Sequence, residues 1–168
     1  MMDAHTFSKQ FLELFPEKFK LMHERESDGD LEYVYSTEFT DGINGIMKIL
    51  AEKNNLQLET EFLNVDYTFF VEGNYNMRIA VEHENIPKGK RRIYNFKKLI
   101  NVNSPLKVLI CYYKKNQNPE KISAFYKNKF EKYGQINSEF LLLIGEAEME
   151  EKEENDQSGY YVLKIFSK

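Results

Sequence analysis

The sequence predicts an α/β fold, an α+β mixed sheet flanked by helices, and three observations carry that reading. Runs with period-two alternation and runs with helical spacing follow one another along the chain, an order that packs as a sheet with helices on its faces. Residues 106–112 (LKVLICY) and 140–144 (FLLLI) are almost unbroken apolar runs, the pattern of strands buried on both faces. A length of 168 residues with 42% hydrophobic content suits one domain with a substantial core. Neither an internal repeat nor a linker interrupts residues 1–168, so a single domain is expected.

The elements follow in order. Residues 6–22 (TFSKQFLELFPEKFKLM) place Phe7, Phe11, Leu14 and Phe15 at helical spacing, with Thr6 as the N-cap and Pro16 ending or kinking the helix. Gly29 marks a loop in the charged stretch 24–30, and 31–39 (LEYVYSTEF) has the content of a strand. Between 41 and 54, Ile43, Ile46, Met47 and Leu50 form a helical stripe that stops at Asn54-Asn55. Residues 56–63 alternate, with Leu58, Thr60 and Phe62 on one face. Residues 65–84 (VDYTFFVEGNYNMRIAVEHE) read as a hairpin around a three-residue loop, Gly73-Asn74-Tyr75. A loop at 85–89 leads into a helix over 90–102 whose buried stripe is Ile93, Phe96, Leu99 and Ile100. After strand 106–112, Asn118-Pro119 caps and opens a helix carrying Ile122, Phe125, Tyr126 and Phe130, which stops at Gly134. Strand 140–144, an acidic loop or hairpin tip at 146–156 (EAEMEEKEEND) and a closing strand at 160–166 complete the reading.

Charge is divided unevenly. Of the 23 Lys and Arg, 13 lie between Lys88 and Lys132, where only two of the 27 acids fall, Glu120 and Glu131. A basic block on a chain of net charge −4 is the pattern of a localised polyanion-binding face, although the same lysines would also solvate two amphipathic helices. The single cysteine, Cys111, sits in an apolar run and reads as a buried thiol in a reducing compartment. The start MMDAHTFSKQ lacks the features of a signal peptide, and apolar runs such as 140–144 are far too short to span a bilayer. A cytoplasmic protein with no membrane partner is the expectation. One cysteine cannot build a thiolate zinc site, and His5 and His23 have no partners at ligand spacing. With no glycine-rich phosphate loop, nucleophile elbow or dinucleotide fingerprint, covalent nucleophilic catalysis has no candidate.

The hairpin carries the most informative residues. Val65, Tyr67, Phe69 and Val71 alternate with Asp66, Thr68 and Phe70, and Met77, Ile79, Val81 and His83 alternate with Arg78, Ala80, Glu82 and Glu84. The three-residue loop would set Asp66 opposite Glu82, with Glu84 two residues along on the same face. Three crowded carboxylates repel one another, and a divalent cation removes that cost. Mg²⁺ takes one or two carboxylates plus waters and, so held, supports phosphodiester hydrolysis. The plain alternative is a solvated sheet face. His83 points to the opposite face and reads as a packing residue.

Around these residues the chain resembles the core of the PD-(D/E)xK, restriction-endonuclease-like nuclease superfamily. In that family a helix precedes a three-stranded meander, then a crossover helix and a further strand, with an Asp near the start of the second strand and E-x-K on the third. Here helix 41–54, VDYTFF with Asp66, VEHEN with Glu82 and Glu84, helix 90–102 and strand 106–112 follow in that order, so the resemblance spans about 41–112. It implies a metal-dependent nuclease acting on nucleic acid, DNA being the expected substrate, with Mg²⁺ or Mn²⁺ held by Asp66 and Glu82. Homodimers are a common assembly of such nucleases. The family's lysine position holds Glu84, giving E-x-E, which makes Glu84 an additional ligand or proton acceptor beside Asp66 and Glu82. Lys88, Lys90, Lys97 or Lys98 would supply the missing positive charge. Lys88, Lys90, Arg91, Arg92, Lys97 and Lys98 would contact the nucleic-acid backbone. Tyr94 and Phe96 stand among them, where an aromatic ring would combine stacking with phosphate contacts, although Phe96 reads as a core residue and Tyr94 fits either role. The alternative is a catalytically inactive relative of such nucleases, acting as a nucleic-acid- or protein-binding module.

Overall fold

The computed structural model of the chain describes residues 2–14, 45–84, 89–113, 116–146 and 162–168. The expected loop at 24–30 and strand at 31–39, with Phe15, Pro16, His23, Ile43, Lys88 and the acidic stretch 147–156, lie outside them. Helix α1 (4–14) and α2 (Ile46–Lys53) precede β1 (Leu56–Thr60), a 3₁₀ turn (Phe62–Asn64), β2 (Tyr67–Val71) and β3 (Asn74–Glu84). Then come α3 (Gly89–Asn101), β4 (Leu106–Tyr113), α4 (Pro119–Tyr133), β5 (Glu139–Glu146) and β6 (Val162–Ser167).

The six strands form one mixed sheet in sequence order. Strands β1, β2 and β3 are antiparallel neighbours, as short connections require, while β3–β4 and β4–β5 are parallel because α3 and α4 carry the chain back to the same end. Strand β6 closes the sheet antiparallel to β5. Alternation then divides the core in two. Tyr67, Phe69, Ile79, Val81, Val108, Ile110, Leu141 and Leu143 face α1 and α2, while Phe70, Met77, Ala80, Leu109, Phe140 and Leu142 face α3 and α4. Strand β4 is buried on both sides, as its unbroken apolar run predicts, and Cys111 is fully buried within it.

Local chemistry sets the element ends. Asp3, not Thr6, caps α1: its Oδ1 accepts from Thr6 N–H at 2.8 Å, a bond that holds the Asp3 carboxyl below its ordinary range. Asn118 Oδ1 accepts from the N–H groups of Glu120 and Lys121 at the start of α4, with Pro119 at the first turn, as expected. The hairpin turns at Glu72-Gly73, one residue earlier than the predicted loop, with Val71 paired to Asn74 and Gly73 taking the left-handed φ of +72°. Register shifts at Phe69/Phe70 and Phe70/Val71 absorb the difference, so Phe69 meets Ile79 and Tyr67 meets Val81. The buried stripe of α3 is also rotated from expectation. Arg92, Asn95, Phe96 and Leu99 face the sheet, whereas Ile93 is 37% exposed. On α4, Phe125 is 38% exposed and Ser123 takes the buried position.

One lysine is built into the core. Lys107 on β4 is fully buried between Ala80 and Phe140 in register, and its ammonium donates to Ser104 O and Gln135 Oε1. Both acceptors follow the C-terminal ends of helices, where the backbone dipole favours a cation. Burial pulls its pKa down to about 8. Among the described residues, no helix is long and apolar enough to cross a membrane.

Candidate functional site

Continuing the β2–β3 register one step beyond Tyr67–Val81 brings Asp66 beside Glu82. The backbone enters Asp66 through a tight turn in which Glu61, Leu63 and Asn64 all adopt left-handed φ (55°, 54° and 60°), a conformation costing a residue such as leucine about 1 kcal/mol or more. Three hydrogen bonds hold this turn, Glu61 N–H to Asp66 O, Asn64 N–H to Glu61 O and Val65 N–H to Phe62 O, and Phe62 packs edge-on against Phe70. Asp66 Oδ2 accepts from the backbone N–H of His83 at 2.7 Å, which fixes the carboxylate against the end of β3.

Lys98, on the third turn of α3, closes the cluster. Its Nζ stands 2.7 Å from Glu82 Oε1 and 3.9 Å from Asp66 Oδ1, and donates to Asn64 O at 2.8 Å. Glu82 Oε1 has the Lys98 ammonium as its close ionic partner, while among the described residues no group donates a hydrogen bond to Oε2. Glu82 is fully buried, while the side chains of Asp66 and Lys98 keep 26% and 19% of their surface exposed. The cluster is therefore a well whose floor is Glu82 and whose rim is Asp66 and Lys98. Burial, reinforced by the Asp66 charge, pushes the Glu82 carboxyl up to about 8 against the pull of Lys98. Burial also raises Asp66, partly offset by the His83 N–H and Lys98. An acid with such a pKa exchanges its proton near neutral pH, the condition for general acid or base work.

Glu84 belongs to a different setting. It pairs in register with Cys111, is 7% exposed, and its Oε2 accepts from Asn95 Nδ2 at 3.4 Å. Arg92, 6% exposed, lies in the same buried region and donates to Tyr112 O at 3.0 Å. Among the described residues, no three acidic, histidine or cysteine side chains converge as a ligand set. Asp66 and Glu82 are thus brought together, and Glu84, two residues along β3, reaches Asp66 through its charge, which helps to raise the Asp66 carboxyl.

The other expected residues divide as well. Lys90, Arg91 and Lys97 are exposed on α3, whereas Arg92 is buried and turned to the Tyr112 carbonyl. Phe96 lies in the core, packed against Tyr126 and Phe140. Tyr94 is 63% exposed, with Lys98 Nζ 5.5 Å from its ring centroid. On the opposite sheet face, His83 shares a hydrogen bond of 3.1 Å with Tyr112 Oη, and burial holds its pKa down to about 4. Sequence reasoning named Lys98 as one of four lysines without choosing it, and missed the Asn64 carbonyl and Asn95. Asn64 had no signal, since its role depends on a left-handed turn that the pattern does not announce.

The class these features define is a three-layer α/β/α protein with a carboxylate–ammonium well at the edge of its crossover helix. Comparison with family models, with curated proteins and with solved structures finds no match to the chain.

Proposed function

We propose that the chain is a divalent-metal-dependent nuclease of the restriction-endonuclease-like kind, hydrolysing phosphodiester bonds in nucleic acid, with DNA the substrate to test first. One observation carries the reading: Asp66 and Glu82 already share a single cation, the Lys98 ammonium, across a partly open well. A fit to Mg²⁺ or Mn²⁺ is supported by the chemistry of the donors. Two carboxylates converge on one ammonium, and among the described residues the buried Glu82 Oε2 accepts no hydrogen bond, which suits hard cations that take one or two carboxylates and keep several waters. Asp66 and Glu82 would hold the ion, which when bound supplies charge neutralisation and an acidified water.

The chain's own residues would do the rest. The His83 N–H orients the Asp66 carboxylate, and the enclosing sheet keeps Glu82 out of water. Lys98 swings within reach of a phosphate oxygen and neutralises its growing negative charge, the role that the missing E-x-K lysine would have had. Glu84, held by Asn95 beside Arg92, supports the packing under the well and adds its negative charge to the field at Asp66. Exposed Lys90, Arg91 and Lys97 would neutralise flanking phosphates.

A second reading has its own observation. Lys98 already balances the two carboxylates, and an ion pair satisfied in this way also suits a binding module without catalysis. The two separate in one experiment, in which purified protein is incubated with DNA and RNA in Mg²⁺ or Mn²⁺ beside Asp66→Ala and Lys98→Ala variants. Metal-dependent cleavage by the wild type, lost at least a hundredfold in both variants, is expected. Salt-sensitive binding without cleavage, unchanged by Asp66→Ala, would replace the nuclease with the binding module.

A further inference from the structure

We infer that Tyr94 is the base-stacking residue of this site and that the substrate class is single-stranded or locally unpaired nucleic acid; the chemistry at the carboxylates rests on the nuclease reading, while the base contact does not. Tyr94 and Lys98 are four residues apart on α3 and so share one face. The ammonium 5.5 Å from the Tyr94 ring centroid is the one that stands 2.7 Å from Glu82 Oε1. The ring therefore borders the carboxylates across a single side chain. It belongs to neither core cluster, although Phe96, two residues on, is packed inside. A large aromatic surface is left in water at the rim of the well. Lys90, Arg91 and Lys97 are exposed on the same helix, so the ring stands among cations able to follow a phosphate chain.

The geometry separates two kinds of strand. In a duplex the base faces are hidden within the stack and only their edges line the grooves. An aromatic side chain meets a base face only where the strand is single or the base has left the helix. A ring this close to the proposed reacting group would engage the base flanking the phosphate held there, and that base must be unstacked. Stacking of this kind tolerates any sequence, because every base has a π-face. An alternative role, a Tyr–Lys pair that only steadies the helix, would contribute little and would not discriminate between strands.

The test measures binding of a short fluorescein-labelled DNA strand and of its duplex by anisotropy, with chelator present so that nothing is cleaved. Wild-type protein should bind the strand more tightly than the duplex. Tyr94→Ala should weaken strand binding by about tenfold and leave the duplex unchanged, while Tyr94→Phe, which keeps the ring, should retain wild-type affinity. Unchanged strand binding in Tyr94→Ala, equal losses on strand and duplex, or no binding of wild type to either would overturn the inference. Cleavage in Mg²⁺ is scored separately. A wild type that cleaves while Tyr94→Ala binds normally removes the stacking role and leaves the nuclease. Tyr94-dependent strand binding by a wild type that never cleaves leaves the stacking role and removes the nuclease.

Discussion

At the scale of single residues, the buried carboxyl of Glu82 makes the sharpest prediction. Its pKa is about 8 in the folded protein, against 4.5 for the ordinary side chain. Because the folded value is the higher one, folding favours the protonated acid. The stabilisation is complete below the ordinary value and is lost as pH rises through the folded one. His83 works in the other sense: its folded pKa, about 4, is below its ordinary 6.5, so its contribution is present above 6.5 and lost as pH falls toward 4. Between about pH 6.5 and pH 7 the Glu82 effect stands nearly alone, because nearer pH 8 the depressed Lys107 ammonium begins to release its proton in the folded state and opposes it. Urea unfolding there should show stability falling with pH, by a few kcal/mol at most, since each pKa unit is about 1.4 kcal/mol. Glu82→Gln, fixed in the neutral form, should flatten that slope, and an equally steep fall in the variant would refute the assignment. Asp66 and Glu82 were legible in the sequence because the bulged two-residue turn and the expected three-residue loop lead to the same pairing of β2 with β3. Lys98 was not. Adjacent helix positions differ by about 100°, so whether Lys97 or Lys98 reaches the sheet depends on the roll of α3, and in the structure Lys97 is exposed while Lys98 fills the well.

The roll of α3 is an element-scale property, and the hydrophobic pattern misjudged it for a physical reason. Ile93 invites burial and Arg92 and Asn95 do not, yet the first turns of α3 lie over Glu84 and the Tyr112 carbonyl, which need donors. Polar demand from the sheet outweighed the side-chain preference of one isoleucine. The hairpin shows the reverse, a wrong turn with a right outcome, since the bulged positions around Phe70 restored the pairing that brings Asp66 to Glu82. Helix α4 offers a direct test of how an element end is fixed. Gly134 has φ −63°, which any residue adopts, but a Cβ there would meet the Phe130 ring and carbonyl at 2.6 Å. Phe130 is fully buried and stacked on Phe140, so it has nowhere to move. Gly134→Ala should therefore destabilise by about 1–3 kcal/mol. Asn118→Ala, which removes two capping acceptor bonds at the other end, should destabilise by about 1 kcal/mol. Urea midpoints measure both, and a Gly134→Ala protein as stable as wild type would show that the end of α4 yields.

On the whole-molecule scale, the order of patterned segments sufficed to predict a mixed sheet with helices on both faces, because short links force antiparallel neighbours and helical crossovers allow parallel ones. Charge was legible in amount but not in placement. Of the 13 basic residues between Lys88 and Lys132, Arg92 and Lys107 are buried and Lys98 is committed to the carboxylates. Those left facing water include Lys90, Arg91 and Lys97 on α3 and Lys121, Lys127 and Lys132 on α4. Both helices cover the same side of the sheet, so a polyanion bound there would meet them together. Binding should then be strongly salt-dependent. With about four to six phosphates neutralised, log K for a single strand should fall against log salt with a slope near −3 to −4. Replacing Lys90 and Lys97 together by glutamine should reduce the slope by about one to one and a half and weaken strand and duplex alike, unlike the change at Tyr94. Titrations at several salt concentrations decide the matter: a slope near zero, or one indifferent to both lysines, would mean that these side chains solvate two helices and do no more.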